Sequence, residues 1–143
     1  MIDVSKIKTW YENLDKNSLD EIENYYENDV FFKDPFNEIN NRDNLKKIFN
    51  HMFENLEKPH FVFIDSIEKK DQAFLTWDFH IKYNSKDYMI HGSSHLKFNK
   101  KQKICYHRDY WDVGEEVLIK IPFLKFFYAF FRKKLALPED YKC

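Results

Sequence analysis

The sequence predicts an α+β fold, in which two or three helices are followed by a curved antiparallel sheet. Over about residues 5–56 the apolar residues recur at helical spacing. From His60 onward they alternate with a period of two, and short polar segments separate the alternating runs. Helices followed by a meander of strands are typical of α+β domains, in which the helices cover one face of the sheet.

The helical part of the chain divides into three segments. A first helix is predicted over residues 5–14 and a second from Ser18 to about Tyr26. A short β-like segment, residues 29–36, ends near Pro35, which has no backbone N–H to donate. The third helix, residues 42–56, has the clearest apolar face and follows the capping residue Asn41. That face consists of Leu45, Ile48, Phe49, Met52, Phe53 and Leu56.

Four strands are predicted over residues 61–67, 72–83, 88–98 and 103–112, joined by tight polar turns. In the third of them, the apolar residues should face the core and turn His91, Ser93 and His95 away. A β-bulge near Gly92 would exchange the two faces partway along the strand. The side of the sheet on which His95 lies therefore stays open at this level.

The tail, residues 115–137, is predicted to be a helix pair or a helix broken at Pro122. Beyond that proline nearly every residue is apolar, except for Lys125, Arg132, Lys133 and Lys134. So wide an apolar face must be buried against something, either the chain's own sheet, a second copy, or another surface. The 143 residues contain no linker, so a single domain over residues 1–143 is expected.

Composition narrows the classes of function. Aromatic residues make up 19% of the chain, which predicts an aromatic-rich core. The same aromatic residues could line an apolar pocket. The two glycines exclude a glycine-rich phosphate loop. A net charge of −1 provides no overall field for binding nucleic acid.

The cysteines and the hydropathy predict a cytoplasmic protein. Cys105 and Cys143 lie in no CxxC pattern, which gives no zinc signature and suits a reducing compartment. The first residues have no signal-peptide core, and no run of eighteen apolar residues predicts a transmembrane segment. His91 and His95 are four residues apart on a strand, about 13 Å, which is too far for one metal ion. No metal site is predicted.

The last strand carries the strongest candidates for chemistry. Alternation places His107, Asp109 and Trp111 on one face. In an apolar pocket the carboxylate can serve as a base while the imidazole orients it or donates a proton. The alternative interpretation is structural, because His107, Arg108 and Asp109 could form an ion-paired ladder on a solvated or interface face.

Two further residues have both a functional and a structural interpretation. Asp34 precedes Pro35 and either lines a pocket or binds backbone donors of its own turn. Trp77, with apolar neighbours on its strand face, belongs to the core or to the wall of a pocket.

Several strings of this sequence resemble a bacterial group of SnoaL-like proteins. They are Phe31–Asn37 (FFKDPFN), His51–Phe53, Trp77–Phe79, Gly92–Leu96 (GSSHL) and His107–Asp112 (HRDYWD), and the resemblance extends over about residues 5–135. This group belongs to the nuclear transport factor 2-like, or ketosteroid isomerase-like, superfamily. The resemblance implies a cone-shaped, cystatin-like roll, in which helices close one end of the bent sheet around an apolar cavity.

The same resemblance implies a cofactor-independent chemistry, in which a carboxylate in the cavity moves a proton or activates a water. It makes Asp109, with His107 or His95, the candidate catalytic group. Asp34, Trp77, His95 and Trp111 are then candidates for binding the substrate. The sequence shows no clear match to the Tyr and Asp oxyanion pair of true ketosteroid isomerases. A homodimer is also implied.

Three functions therefore remain open. The first is an isomerase, cyclase or hydratase for a small apolar substrate, without a cofactor. The second is a module that binds such a ligand unchanged. The third is an adaptor that contacts a protein or, peripherally, a membrane surface through the aromatic and basic tail.

Overall fold

The computed structural model describes residues 2–137, so Cys143 lies outside the described residues. The chain divides into two units, the first ending at Trp111 and the second beginning at Asp112. The expectation of a single domain over residues 1–143 stays a prediction. Among residues 2–137, none of the helices has both the length and the hydropathy needed to span a bilayer.

The first unit begins with two helical segments. Helix α1, Ser5–Glu12, buries one face that includes Ile7, Trp10 and Tyr11, as its spacing predicts. A 3-10 turn, Ser18–Glu21, then leads into the single-turn helix α2, Ile22–Tyr25. The second predicted helix is thus half 3-10 and half α-helical, with four residues of each. Its start is stabilised by Asp15, whose carboxylate accepts from the backbone N–H of Ser18 at 2.7 Å.

The next elements are β1, Tyr26–Lys33, the two-residue strand β2, Glu38–Ile39, and helix α3, Arg42–Asn55. The side chain of Asn41 accepts from the N–H of Asn44 at 2.8 Å, which is the cap that the sequence predicts. Helix α3 buries Leu45 and Phe49, and its other apolar residues pack against the same core.

The sheet has six strands in the order β2-β1-β6-β5-β4-β3. Strands β3 (Glu57–Lys69), β4 (Gln72–Tyr83), β5 (Lys86–Phe98) and β6 (Ile104–Tyr110) form the predicted antiparallel meander. Strand β1 is unlike the others, because it pairs parallel to β6. This pairing brings the N-terminal helices beside the last strand of the unit, where the candidate residues lie.

Strands β4 and β5 pair without a register shift along their whole length, so there is no bulge at Gly92. Tyr88, Ile90 and Leu96 consequently lie on the inner face, together with Gly92 and Ser94, where the helices pack. His95 lies on the opposite face, so the structure selects the alternative without a bulge, which the sequence had left open.

Gly92 lies directly opposite Trp77 on the neighbouring strand. A Cβ atom at Gly92 would lie 2.4 Å from the Cη2 atom of Trp77. The missing side chain thus gives the indole room to lie across β5.

The second unit comprises helix α4, Val113–Glu116, a 3-10 turn, Leu118–Lys120, and helix α5, Pro122–Leu135. Asp112 caps α4 by accepting from the N–H of Glu115 at 3.1 Å. Pro122 does not break the last helix but begins it, at a position where the absent N–H costs nothing. Of the two interpretations of the tail, the helix pair is therefore the one found.

Candidate active site

Strand β6 presents His107 and Asp109 on the inner face of the sheet. The ring of His107 is buried, with 4% of the residue exposed, and the Asp109 side chain is 16% exposed. His107 Nε2 lies 2.7 Å from Oδ1 of Asp109. The pair therefore faces the core and not a solvated surface, as the functional interpretation of the alternation requires.

Hydrogen bonds from the neighbouring strands fix the orientation of Asp109. Trp77 Nε1 lies 2.8 Å from Oγ of Ser94, and that oxygen lies 2.5 Å from Oδ1 of Asp109. Because an indole N–H can only donate, Ser94 accepts a hydrogen bond from Trp77, and its hydroxyl donates one to the Asp109 carboxylate. Oδ1 of Asp109 thus receives hydrogen bonds from Ser94 and His107. Among residues 2–137, none donates to Oδ2 of Asp109.

Two tyrosines extend the hydrogen bonding on the other side of the imidazole. The Tyr26 hydroxyl lies 2.7 Å from Nδ1 of His107, and the Tyr11 hydroxyl bonds to that of Tyr26. If Nε2 carries the proton shared with the Asp109 carboxylate, Nδ1 accepts from Tyr26, and Tyr26 in turn accepts from Tyr11. Six side chains then form one hydrogen-bond network, Tyr11, Tyr26, His107, Asp109, Ser94 and Trp77.

Both tyrosines of the network remain phenols at ordinary pH. Burial raises the pKa of Tyr11 well above its usual value near 10, and the adjacent Tyr26 raises it further. Burial is also the main cause that raises the pKa of Tyr26. Ionising either phenol would put an unsolvated charge in the core, so both hydroxyls stay available as hydrogen-bond donors.

A recess opens beside Asp109 on the inner face of the sheet. Its empty volume is about 320 Å³ when the open mouth and the solvent in front of it are included, but its enclosed part has room for about one water molecule, so a larger ligand requires the aromatic side chains to move. We call it the central recess. Its lining residues are Tyr11, Phe49, Phe61, Phe63, Leu75, Trp77, Ser94, Leu96, His107 and Asp109. The walls are therefore aromatic and aliphatic, and the polar groups lie together at one side.

The other sequence candidates lie away from the central recess. His95, on the outer face, stacks on Phe74 at 4.2 Å between ring centroids and bonds to Gln72 at 2.9 Å. Burial, and then the positive charge of Lys97, lower the pKa of His95. Because the sheet separates it from Asp109, His95 has no part in the proposal below.

Asp34 and Trp111 occupy the end of the sheet near β2. Oδ1 of Asp34 accepts from the N–H groups of Phe36 and Asn37 at 2.7 and 2.6 Å, which is the turn alternative of the sequence analysis. Trp111 packs edge-to-face on Phe36, with the ring centroids 5.4 Å apart, and does not line the central recess.

Three members of the site were not singled out as site residues in the sequence. Tyr11 and Tyr26 follow the apolar spacing of helix positions, and Ser94 is one of two adjacent serines. A usable signal did exist for the tyrosines, because a buried phenol nearly always finds a hydrogen-bond partner. Over residues 2–137, His, Cys, Asp and Glu side chains form no group of three that could hold a metal ion.

Comparison with known families shows to which family the chain belongs. Residues 7–107 match the SnoaL-like domain family, which is more than half of the chain. The chain belongs to the SnoaL-like family. The matched range begins in α1 and ends at His107, so it contains most of the residues that build the central recess of this SnoaL-like domain. No match is found among curated proteins.

Solved structures share the fold at low sequence identity. An NTF2-like protein of unknown function from Exiguobacterium has a TM-score of 0.66 and 15% identity, covering 76% of this chain and 97% of its own. A ketosteroid isomerase-like protein from Catenulispora acidiphila, in complex with trimethylamine, has a TM-score of 0.68 and 12% identity, covering 82% and 89%. An LEH-like epoxide hydrolase from M. tuberculosis has a TM-score of 0.65 and 11% identity, covering 79% and 82%. The predicted cone-shaped α+β fold of the superfamily is thus confirmed.

Proposed function

We propose that this SnoaL-like chain binds a small apolar molecule in the central recess and moves a proton on it, with Asp109 as the base and without a cofactor. The observation that carries the proposal is the asymmetry of the Asp109 carboxylate. Two donors hold Oδ1, while Oδ2 accepts from none of residues 2–137, and Asp109 lines an aromatic recess. A base held in this way needs no reorientation before it accepts a proton.

His107 and Ser94 act as positioning residues for this base. Both donate to the same oxygen, so they stabilise the carboxylate and fix the direction in which Oδ2 points. In the proposed reaction Oδ2 takes a proton from a carbon that lies between a carbonyl and a carbon–carbon double bond. The electron pair of that C–H bond forms a new C=C bond, and the π pair of the carbonyl moves onto its oxygen. Returning the proton from Oδ2 to the far carbon of this dienolate restores the carbonyl and shifts the double bond, so atoms and charge balance.

Tyr11 is the candidate donor to the developing oxyanion. Its hydroxyl belongs to the lining of the central recess, and the raised pKa keeps it protonated. Turning its O–H from Tyr26 toward a bound carbonyl would replace one hydrogen bond by another. The same base could instead activate a water. A hydrolase on this fold is known in the M. tuberculosis relative, whose activity is stated of that protein alone.

A second function, binding without chemistry, is favoured by a different observation. Apart from Oδ2 of Asp109, whose side chain is partly exposed, the polar groups of the recess bond to one another, and no buried side-chain nitrogen or oxygen of residues 2–137 lacks a hydrogen-bond partner. A recess whose buried polar groups are satisfied without a ligand suits a module that binds apolar molecules by shape alone. The ligand would then leave the protein chemically unchanged.

Native mass spectrometry of the purified chain is the first experiment. It detects a bound small molecule together with the oligomeric state, and the family resemblance leads us to expect a homodimer. Denaturing analysis then gives the chemical class of whatever is released. The released compound is next incubated with the protein in D₂O, and deuterium uptake at carbon is followed by NMR.

Asp109→Asn tests the base directly. We expect it to keep the ligand and to lose deuterium exchange by at least about a hundredfold, since general-base catalysis contributes on the order of 10²–10⁴. The matched control is Asp78→Asn, which changes a carboxylate of β4 that is bonded to His91 on the outer face. Full exchange by Asp109→Asn would overturn the catalytic assignment. Exchange by neither protein, with the ligand retained, would favour the binding module.

A further inference from the structure

Helix α5 of the second unit has an apolar face that its own unit does not cover. Tyr128 is the residue by which α5 packs on α4, because a Cβ at Gly114 would lie 2.2 Å from its ring. Arg132 bonds to Glu115 at 3.0 Å on the same side. These two contacts determine which face of α5 turns toward the rest of the unit.

The phenylalanines point elsewhere. At 100° per residue, Phe123, Phe126, Phe127, Phe130 and Phe131 span an arc of about 140° that excludes Tyr128 and Arg132. All five are exposed, with Phe123 and Phe126 at 73% and Phe131 at 61%. An arc of this width is a large uncovered apolar surface.

The charges around this arc all have one sign. Residues 117–137 contain Lys120, Lys125, Arg132, Lys133 and Lys134 and no Asp or Glu. On the same wheel Lys134 lies inside the arc, at about 20° from Phe123, and its Nζ atom is 5.6 Å from the centre of the Phe130 ring, so its stem follows the aromatic surface. Arg132 is paired with Glu115 on the other side of the helix, and Lys125, Lys133 and Lys134 are the cations of α5 that accompany the rings. Aromatic rings accompanied by lysines complement a surface that is apolar inside and negatively charged outside.

We propose that the phenylalanine face of α5 docks on the surface of membranes that contain anionic phospholipids. The fourteen residues of α5 give a helix of about 21 Å, which is shorter than the roughly 30 Å hydrocarbon core of a bilayer. The helix therefore lies in the plane of the interface, with its rings among the acyl chains and its lysines at the phosphates.

Vesicle flotation of the full chain tests the proposal. The probes are vesicles of phosphatidylcholine alone and vesicles that also contain phosphatidylglycerol. We expect binding to the anionic vesicles only, weakened by high salt. Phe126→Ala with Phe130→Ala should abolish it, and Lys133→Gln with Lys134→Gln should weaken it on the order of tenfold.

Matched controls remove the same groups elsewhere. Phe36→Ala with Ile67→Ala removes exposed apolar side chains from the first unit, and Lys100→Gln with Lys101→Gln removes two exposed lysines. Both should bind anionic vesicles like the unchanged chain.

Two outcomes would overturn the proposal. One is the absence of binding to anionic vesicles, and the other is equal binding by the phenylalanine variant. When vesicles bind neither protein, a dimer that dissociates in the phenylalanine variant indicates that a second copy covers the face. A lower unfolding temperature of that variant indicates instead that the face packs on the chain's own sheet.

Discussion

The hydroxyl of Tyr26 lies 2.7 Å from Nδ1 of His107, although 81 residues separate the two in the sequence. This contact selects the tautomer of the imidazole. Because Nδ1 accepts from the Tyr26 hydroxyl, the ring proton is on Nε2, where it faces Asp109. The orientation of the proposed base thus depends on a phenol that itself does not line the central recess.

Replacing Tyr26 by Phe should destabilise the first unit. The change leaves Nδ1 of a buried imidazole without its nearest partner, which costs about 1–3 kcal/mol of unfolding free energy. Denaturant unfolding measures this loss. Tyr25→Phe is the control, since that ring stacks on Trp10 near the surface and should change stability by less than about 0.5 kcal/mol. Equal losses of unfolding free energy in Tyr26→Phe and Tyr25→Phe would show that the bond between Tyr26 and His107 does not stabilise the fold.

Trp77 and Ser94 should be energetically coupled. Ser94→Ala leaves the buried indole N–H unpaired, but in a Trp77→Phe background no such donor exists. The serine change should therefore cost less in that background, with a coupling energy of about 0.5–3 kcal/mol in a double-mutant cycle. Ser93→Ala, which lies on the outer face, should show none. Additive losses for Trp77 and Ser94 would argue against the bond.

Gly92→Ala should displace the indole of Trp77. The new Cβ would fall 2.4 Å from a ring carbon, and overpacking of this kind costs about 1–3 kcal/mol. Unfolding experiments and the near-ultraviolet circular dichroism of the tryptophans measure the effect. Trp77→Phe supplies the test of cause, because the smaller ring should accept the alanine. If Gly92→Ala lowers the free energy of unfolding equally in the Trp77→Phe background, the strain does not come from the indole of Trp77.

Alkaline pH should unfold the first unit through Tyr11 and Tyr26. Both folded pKa values are raised, so below about pH 10 neither tyrosine makes stability depend on pH. Above that pH the unfolded phenols ionise and the folded ones do not, and unfolding free energy falls by about 1.4 kcal/mol per pH unit for each.

Unfolding at a series of alkaline pH values measures this slope. Tyr11→Phe removes one of the two ionising groups and should therefore lower the slope by about 1.4 kcal/mol per pH unit. Tyr83→Phe, at an exposed position, should leave the slope unchanged. Phenolate absorbance of both buried tyrosines should appear only with unfolding. A slope that Tyr11→Phe does not alter would contradict the raised pKa.

Local patterns predict the meander well, since strand periodicity and turn chemistry are properties of neighbouring residues. Strand β4 runs from Gln72 to Tyr83, as the alternation predicts. The parallel pairing of β1 with β6 could not be predicted in this way, because it depends on contacts between distant segments. It is this pairing that moves Tyr26 next to His107.

The candidate site was predictable to the extent that one strand contains it. Alternation along β6 places His107 and Asp109 together, and their bond confirms the shared face. The same logic cannot reveal Tyr11, whose position on α1 is typical of a core residue. For Asp34 the sequence allowed a pocket or a turn, and the structure shows its carboxylate bonded to the N–H groups of Phe36 and Asn37.

The separation of the site residues along the chain also has a consequence for biosynthesis. His107 and Asp109 lie near the end of the first unit, whereas Tyr11 lies near its beginning. While β6 is still inside the ribosome, the emerged part of the nascent chain contains both tyrosines but not the imidazole of His107. Closing so long a loop is entropically slow compared with forming local helices and hairpins. The proposed base is therefore assembled late, and its geometry reports that the first unit has finished folding.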